Sequence, residues 1–508
     1  MPQTQHVRAF GLFAALSCAF AGAAEPTWYA TKTPYRPQQD PATYEAPPPG
    51  YKAVFTQLVA RHGSRGLTGV KADMTVLNMW KRAKQDNALT PLGEQLGPDV
   101  EKLMRATALM GYGADNIGSP GYGNLSRRGV EEHQQLARRM RARLATLFDD
   151  AVAGKRRIVV VSSGVGRARD SAINFTRALV AGSPALEALA TNPPATDRYM
   201  LYFHALKPAK DAVAAGDPRY QVYQDSLAYQ AYEESPDYKA KIAMTEQDAP
   251  GRAAARAVLE GLFSKAFVDK IDSRAVTFDN GGSIEVVSDD GKYRTTVQGN
   301  GKSRIEGVSA AADALYALYI IMPGMRSDLD LDFNKYIDPE QARRFAYLQD
   351  LEAFYKQGPS FIESNGVTWK MAQGLEDDFF NEVDAIEQGK LAHAAKLRFA
   401  HAEIIIPFAS KLGLAHALLP LPKAQLYTWE NSAWRGENVA PMAANVQWDV
   451  VRNEAGKVLV KMLYNEKETP FKPACESARF KPASFYYDYA KLKVCYGHAA
   501  APSRERDK

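Results

Sequence analysis

Runs of apolar residues along the chain alternate with segments whose apolar residues recur at helical spacing. Residues 52–59 (KAVFTQLV) have the pattern of a strand, and the loop ARHGSRG leaves its carboxyl end. Residues 156–161 (RRIVVV) are a second apolar run, which the loop SSGVGRARD joins to a helical segment. This alternation predicts an α/β layered fold with a mostly parallel sheet. Ligands bind beyond the carboxyl ends of such strands, where both arginine-bearing loops lie.

The middle of the chain, residues 185–372, has a different pattern. Helical segments rich in Ala, Tyr and Lys surround a polar stretch, residues 276–297, that fits a β-hairpin. We interpret this region as a mainly helical cap inserted into the sheet domain. Residues after 372 include LRFAHAEIIIPFASKLGL and a predicted strand in GKVLVKMLYNE, so we expect the chain to return and complete the first domain.

Two further segments have helical spacing. Residues 125–148 predict a helix, with apolar positions at Val130, Leu136, Met140, Leu144 and Leu147. The second is a set of tyrosines, namely Tyr220, Tyr223, Tyr229 and Tyr232. These side chains either line the mouth of a substrate pocket or pack a helix, and such spacing more often reflects packing.

The N-terminus has the three-part pattern of a signal peptide. A short polar and basic start, MPQTQHVR, precedes the apolar run AFGLFAALSCAFAGA and small residues that suit signal peptidase. We therefore expect a periplasmic or secreted protein. Cys18 leaves a lipoprotein alternative, although the preceding Ala15-Leu16-Ser17 is a poor lipid-attachment context. A buried N-terminal helix is the structural alternative.

These patterns give a provisional division of the chain. The proline-rich arm is expected to lie extended on the surface, and the last residues are expected to fray. The predicted parts are a signal peptide (1–24), the arm (25–50), the first part of the α/β domain (51–184), the cap (185–372), the second part of the α/β domain (373–500) and a tail (501–508).

Composition narrows the function classes. The 508 residues are 46% hydrophobic and 24% charged, which is ordinary for a globular protein. A net charge of +5 does not imply nucleic-acid or membrane binding. No apolar run beyond the N-terminus is expected to span a bilayer. We therefore expect a small-molecule partner, no nucleic acid and no membrane span.

Two cysteines, Cys475 and Cys495, would remain after signal cleavage. An oxidising compartment allows them to form a disulfide, and two buried free thiols are the alternative. Neither has the neighbouring histidines or cysteines of a zinc site.

The loop ARHGSRG concentrates cationic groups around one imidazole. Guanidinium groups bind phosphate bidentately, so Arg61 and Arg65 are candidate phosphate ligands. Like charges disfavour protonation of His62 and bias it toward the neutral, nucleophilic form. A phosphoryl-accepting histidine is therefore plausible. A surface loop with salt-bridging arginines is the alternative.

Two later segments extend this candidate site. In SSGVGRARDSA, either Arg167 or Arg169 offers a third guanidinium at the end of a strand. In HAE, His401 can donate to phosphate and Glu403 can protonate the leaving oxygen. A helix that begins near Ala402 would direct its amides toward the same anion. For Glu403, a carboxylate that merely stabilises the first turn is the alternative.

The remaining histidines and the metal motifs give no comparable signal. His133, His204, His393, His416 and His498 lack a neighbouring arginine cluster, so each is interpreted as packed or exposed. The sequence contains no HExxH, DxDxDG or CxxC motif. We therefore expect no metal site.

The motifs together resemble those of a known family. ARHGSRG resembles the RHGxR signature of the histidine acid phosphatases, and HAE resembles the form found in the multiple inositol polyphosphate phosphatases. Other similar stretches, in the family's order between about Tyr51 and Cys495, are LTPLG, LSRRGVEEH, GRARDSA, DLEAFYKQG, AKLRFAHAE, APMAAN and LYNE. Leu67 departs from the proline that the broader family often has there.

The resemblance implies a fold and a role for each residue. The fold would be a three-layer α/β sandwich of the phosphoglycerate mutase-like, histidine phosphatase type with a helical cap, and the activity would need no cofactor. His62 would be the nucleophile and Glu403 the proton donor. The phosphate ligands would be Arg61, Arg65, Arg167 and His401, with Arg167 preferred because Arg-x-x-Asp-Ser-Ala matches the family spacing. The substrates would be phytate and lower inositol polyphosphates.

Two other functions remain open at this point. A broad-specificity acid phosphatase or sugar phosphatase would use the same fold. A non-catalytic binder of phosphorylated ligands is the third possibility, but binding alone requires neither a nucleophile nor a leaving-group acid.

Overall fold

A computed structural model describes residues 28–246, 248–415, 417 and 419–498. The predicted signal peptide with Cys18, His416 and the predicted tail lie outside the described residues.

Strands form one large sheet and two small ribbons within the described residues. They are β1 Tyr51–Arg61, β2 Arg157–Ser162, β3 Ala195–Thr196, β4 Phe278–Asp279, β5 Gly282–Val287, β6 Arg294–Gly299, β7 Arg304–Ile305, β8 His393–Ala400, β9 Asn445–Asn453, β10 Val458–Tyr464, β11 Lys467–Glu468 and β12 Tyr486–Asp488. The predicted hairpin of residues 276–297 is the antiparallel pair β5–β6.

Helices make up most of the remaining chain. They are α1 Ala72–Gln85, α2 Gly93–Ala108, α3 Arg127–Arg143, α4 Ala145–Ala153, α5 Gly166–Val180, α6 Pro184–Glu187, α7 Arg198–Leu201, α8 Pro208–Asp211, α9 Tyr220–Glu233, α10 Pro236–Glu246, α11 Ala249–Leu262, α12 Lys265–Asp272, α13 Val308–Met325, α14 Pro339–Lys356, α15 Gln373–Glu387, α16 Ala402–Lys411, α17 Gly436–Val439 and α18 Tyr489–Tyr496.

The predicted helix of residues 125–148 is two helices. Leu144 separates α3 from α4 with non-helical backbone angles, φ −113° and ψ 33°. Leu144 and Leu147 are both buried in the core between these helices and the sheet. The break lets α4 turn and pack over the sheet, which a periodic pattern of apolar residues does not reveal.

The large sheet is mixed. Its strand order is β11-β10-β9-β1-β8-β2-β3, with β12 beside β10. The strands β1, β8, β2 and β3 run parallel, whereas β9 to β12 are antiparallel to their neighbours. The expected mostly parallel sheet is therefore corrected. A tight turn with Gly456 at φ 83° joins β9 directly to β10, and such a short connection allows only antiparallel pairing.

Helices cover both faces of this sheet. On one face, Leu58 of β1 packs in a core with Leu136 of α3. On the other, Val59 packs in a core with Phe379 of α15 and Phe408 of α16. Adjacent residues of β1 thus face opposite cores, as strand alternation requires. The predicted three-layer α/β sandwich is confirmed.

A third core lies among α1, α2 and α11 to α14. Helices α1 and α2 belong to it, although the sequence division placed them in the α/β domain (51–184). In the predicted cap, α9 instead buries Tyr223, Tyr229 and Tyr232 in the core beside the sheet, so the tyrosine stripe packs a helix. A division of the chain into contiguous residue ranges therefore assigns to different domains residues that pack in the same core.

Helix α13 is an exception to the expectation of no membrane-length apolar run. It has 18 residues and a mean hydropathy of 1.4, which by length and composition suffices to cross a bilayer. However, 72% of the helix is buried within the protein, as in the core helix of a globular protein.

The N-terminal arm packs more deeply than expected. Tyr29 and Tyr35 are buried, and the Tyr35 hydroxyl donates to Glu466 at 3.0 Å while accepting from Asn445 at 2.9 Å. A short 3₁₀ helix, Ala30–Lys32, interrupts the extended conformation. Burial of these aromatic rings stabilises the docked arm. Proline content alone therefore does not predict whether such a segment lies on the surface.

Cys475 and Cys495 are joined by a disulfide that closes a loop of 20 residues. Loss of the bond should lower the free energy of unfolding by about 3 kcal/mol, because the unfolded chain gains entropy. Urea unfolding of Cys495→Ala and of Cys475→Ala/Cys495→Ala would measure this. Both variants should lose a similar amount, and a Cys495→Ala variant as stable as the wild type would contradict the expectation.

Candidate active site

The carboxyl ends of three parallel strands coincide at one edge of the sheet. Arg61 at the end of β1 lies opposite Ala400 at the end of β8, and Ser162 of β2 lies opposite Phe399. The next residues along the chain, His62 and His401, therefore emerge side by side. Their ring centroids are 5.4 Å apart in an edge-to-face arrangement.

A cavity of about 160 Å³ lies at this edge. It brings together five of the predicted site residues, namely Arg61, His62, Arg65, Arg167 and Glu403. The polar side chains that line it besides these are Thr31, Lys32, Gln349, Glu352, Lys356 and Gln357. Segments that are more than 300 residues apart in sequence thus converge on one anion-sized space.

The orientation of His62 leaves one nitrogen free to react. Its Nδ1 lies 2.9 Å from the carbonyl oxygen of Gly63. A carbonyl oxygen can only accept, so Nδ1 carries the proton and Nε2 has the lone pair. Burial and the charges of Arg167, Arg61, His401 and Arg65 hold the pKa of His62 well below the usual histidine value. The imidazole is neutral and nucleophilic.

We expect His62 to remain neutral as the pH falls through 6.5, where an ordinary histidine gains a proton. A lowered pKa keeps the deprotonated form to lower pH, and Arg167→Met should raise it by removing a nearby cation. Carbon-13 NMR of histidine-labelled protein, with the His62 signal assigned from a His62→Asn spectrum, measures this. Titration of His62 near pH 6.5 would contradict the electrostatic argument.

The backbone of the loop ARHGSRG, which we call the catalytic loop, is held by a close glycine contact and a carboxylate. A Cβ on Gly63 would lie 2.3 Å from the Gly129 oxygen, and one on Gly129 would lie 2.0 Å from the Ser64 oxygen. Both positions therefore require glycine. Glu132 accepts from the Ser64 amide at 2.7 Å and hydroxyl at 2.8 Å, and from the Tyr35 amide at 3.1 Å. The arm and the loop share this carboxylate.

The three arginines form a buried cationic cluster. Burial and the neighbouring guanidinium groups lower the pKa of Arg65 to about 9 and that of Arg61 to about 10. Arg61 Nη1 donates to the Ala440 carbonyl at 2.6 Å and to the Thr31 carbonyl, which fixes its position. The Nε atoms of Arg61, Arg65 and Arg167 are buried without a hydrogen-bond partner in the described part of the chain. This environment favours an anion.

His401 links two of these loops. Arg167 Nη2 donates to its Nδ1 at 3.3 Å, so Nε2 carries the proton and donates to the Ser163 hydroxyl at 2.8 Å. Both ring nitrogens thus contact protein groups. For His401 to donate to phosphate, as the sequence predicts, Arg167 must turn away from Nδ1 and Nδ1 must itself carry a proton, in the other tautomer or in the protonated ring.

Glu403 lies in the first turn of α16, and His401 is the N-cap residue of that helix. Burial raises the pKa of the Glu403 carboxyl, but His204, His401, the helix amide and Arg61 outweigh it, and the pKa is lowered. The carboxyl is therefore held as an anion until negative charge enters the cavity.

Arg169, the competing candidate, is exposed and pairs with Asp170 at 3.5 Å, outside the cavity. His393 and His498 pair with Glu382 and Asp384 at the far side of the sheet domain. His204, by contrast, lies near the site, with its ring centroid 6.4 Å from that of His401. The sequence also missed Lys32, Ser163 and Lys356. The position of Ser163 directly after β2 could have identified it from the sequence, whereas no sequence feature identified Lys32 or Lys356.

Comparison with known proteins agrees with this geometry. A sequence model of the Histidine phosphatase superfamily (branch 2) matches residues 54–465. The chain is similar to the crystal structure of Bifidobacterium longum multiple inositol polyphosphate phosphatase in complex with inositol hexasulfate. Identity is 29%, coverage is 93% of this chain and 97% of that one, and the TM-score is 0.81.

Two further relatives are more distant. Multiple inositol polyphosphate phosphatase 1 of Homo sapiens is 26% identical over 153 residues, which span 28% of this chain and 31% of that protein. The phytase from D. castellii shares the fold, with 13% identity, a TM-score of 0.55, and coverage of 93% of this chain and 84% of that one.

Proposed function

The chain belongs to the histidine phosphatase superfamily, branch 2, and from this membership we propose that it hydrolyses phosphomonoesters of inositol polyphosphates, including phytate. The observation that carries the proposal is the cavity itself. It combines three guanidinium groups, a neutral imidazole and a carboxyl group within one anion-sized space. The similarity to the Bifidobacterium longum enzyme over nearly the whole of both chains supports the substrate class.

In the first step, Nε2 of His62 attacks phosphorus and the ester P–O bond breaks. Arg61, Arg65 and Arg167 hold the phosphate oxygens and stabilise the charge of the transition state. The leaving oxygen takes its proton from Glu403, because an alkoxide is a very poor leaving group. The products of this step are a dephosphorylated alcohol and a phosphohistidine at position 62.

In the second step, Glu403, now a carboxylate, takes a proton from water as the water oxygen attacks phosphorus. The P–N bond breaks and its electrons return to Nε2 of His62. Inorganic phosphate leaves, Glu403 is again protonated and the neutral imidazole is restored.

Protonation of Glu403 is coupled to substrate binding in this scheme. Arg61, one of the groups that lower the pKa of the carboxyl, also binds phosphate in this scheme. An incoming phosphate offsets its charge, so the pKa rises and the carboxyl takes up a proton. An acidic to near-neutral working range follows from this coupling.

Relative rates on three substrates test the proposal. We expect kcat/KM to be highest for phytate, compared with glucose 1-phosphate and p-nitrophenyl phosphate. Chromatography of the inositol phosphates released would identify the products. Equal or higher values for glucose 1-phosphate would favour a sugar or general phosphatase. Tight binding of phytate without phosphate release would favour a non-catalytic binder.

We also propose a periplasmic or secreted location. The signal-peptide pattern of residues 1–24 and the disulfide between Cys475 and Cys495 support it, since disulfides persist in oxidising compartments. Fractionation of cells that express the full chain, with N-terminal sequencing of the product, tests this. A cytoplasmic, uncleaved product would contradict it, and a lipid-modified Cys18 would indicate a lipoprotein instead.

A further inference from the structure

The N-terminal arm supplies one cation to the catalytic cavity, the side chain of Lys32. We propose that the amine of Lys32 binds a second phosphate group of the substrate, next to the phosphate that the three arginines hold. The inference rests on the proposed function, because it requires a substrate with more than one phosphate.

The backbone around Lys32 is held in place by contacts on several sides. The carbonyl of Thr31 accepts from Arg61, and the Thr33 carbonyl accepts from the Met442 amide at 2.9 Å. A Cβ on Gly436 would lie 2.9 Å from Thr31 Cγ2, so the arm approaches α17 as closely as glycine allows. Lys32 therefore extends into the cavity from a fixed backbone.

The charges of the cavity exceed what one phosphate requires. A phosphomonoester carries at most two negative charges, Glu352 adds one more to the cavity wall, and Glu403 is protonated when phosphate is bound in the proposed scheme. The guanidinium groups of Arg61, Arg65 and Arg167 already balance these three charges. Lys32 adds a further cation to that set. Lys356 differs, since its amine pairs with Glu233 at 3.3 Å. An additional anionic group on the substrate accounts for the extra charge of Lys32.

The surroundings of Lys32 point to an anion as its ligand. Burial, followed by the charges of Arg61 and Arg65, lowers the pKa of the amine well below the usual lysine value. A cation in such a position is unfavourable unless an anion joins it. An ammonium group binds phosphate as a point charge with three donors, so it tolerates varied orientations of a second phosphate.

There is room beside the scissile phosphate for the rest of a large substrate. Gln349 and Glu352 line both the catalytic cavity and a neighbouring cavity of about 540 Å³. A polyphosphorylated ring can therefore extend past the phosphate that reacts.

Inhibition constants separate one-phosphate from multi-phosphate recognition. With p-nitrophenyl phosphate as reporter, the inhibitors would be inorganic phosphate and inositol hexasulfate, which carry one and several anionic groups. Lys32→Met removes the charge and keeps most of the length of the side chain. We expect its Ki for inositol hexasulfate to rise roughly tenfold and its Ki for phosphate to rise by a much smaller factor. Lys32→Arg should restore most of the affinity.

Lys71→Met is the matched control, because Lys71 is exposed and does not line the cavity. It should leave both inhibition constants unchanged. Equal rises of both constants in Lys32→Met would overturn the proposal, as would no rise in either. The result does not depend on phytate turnover. Failure of the wild type to release phosphate from phytate would refute the proposed function, whereas the inhibition constants would still test the role of Lys32.

Discussion

His62→Ala is expected to lower the rate of phosphate release by roughly 10³-fold or more, because the variant lacks the group that accepts the phosphoryl. The arginine cluster remains, so binding of phosphate should persist with a Ki close to that of the wild type. The loss should therefore fall on kcat. It should be similar for every phosphomonoester, since each passes through the same phosphohistidine.

Trapping of the intermediate makes this prediction specific. An alkaline quench after mixing with ³²P-labelled substrate should leave label on the wild type and none on His62→Ala. His393→Ala is the control, because His393 begins β8 at the end away from the cavity and pairs with Glu382. It should retain both label and turnover. Turnover of His62→Ala within about tenfold of the wild type would mean that another group is the nucleophile.

Glu403→Gln is expected to slow hydrolysis of alkyl phosphates by roughly 10² to 10⁴-fold, since glutamine cannot protonate the leaving oxygen. An aryl phosphate such as p-nitrophenyl phosphate has a good leaving group, so formation of its phosphohistidine should be slowed far less. With that substrate a burst of p-nitrophenol should precede a slow steady state, because the second step still lacks its base.

The second carboxylate of the cavity wall provides the control for Glu403. Glu352→Gln removes a negative charge from the same cavity without removing the proposed acid. Its losses should be small and independent of the leaving group. Stopped-flow absorbance measures the burst and the steady state together. Equal losses of Glu403→Gln on alkyl and aryl substrates, in both phases, would exclude Glu403 as the proton donor.

The parts of the site that lie directly after predicted strands were accessible from sequence. An apolar run ends at Ala60, and the next residues are Arg61 and His62. Parallel strands bring their carboxyl ends to one edge, so the convergence of Arg61 and His62 with Arg167 follows from the α/β pattern. The convergence with Glu403 follows from the family motifs alone, because the sequence analysis predicts no strand before His401. The choice of Arg167 over Arg169 followed from motif spacing, and the structure places Arg167 in the cavity.

Other features depend on tertiary packing that no local pattern records. Lys32 lies within the proline-rich arm that the sequence predicts as a surface segment, and its position depends on contacts of the arm with Arg61 and α17. His204 comes near His401 through the path of the chain between α7 and α9. The break at Leu144 lies inside an unbroken helical pattern. Long-range packing overrides local propensity at each of these points.

The docking of the arm has a consequence for biosynthesis. Its backbone and side chains meet residues near the other end of the chain, with the Gln38 amide donating to the Asn465 carbonyl at 3.1 Å and Tyr35 donating to Glu466. The neighbours of strand β1 in the sheet, β8 and β9, also come late in the chain. Ribosomes must therefore synthesise the chain through this region before the catalytic centre can assemble, so translation products that are truncated ahead of it should be inert.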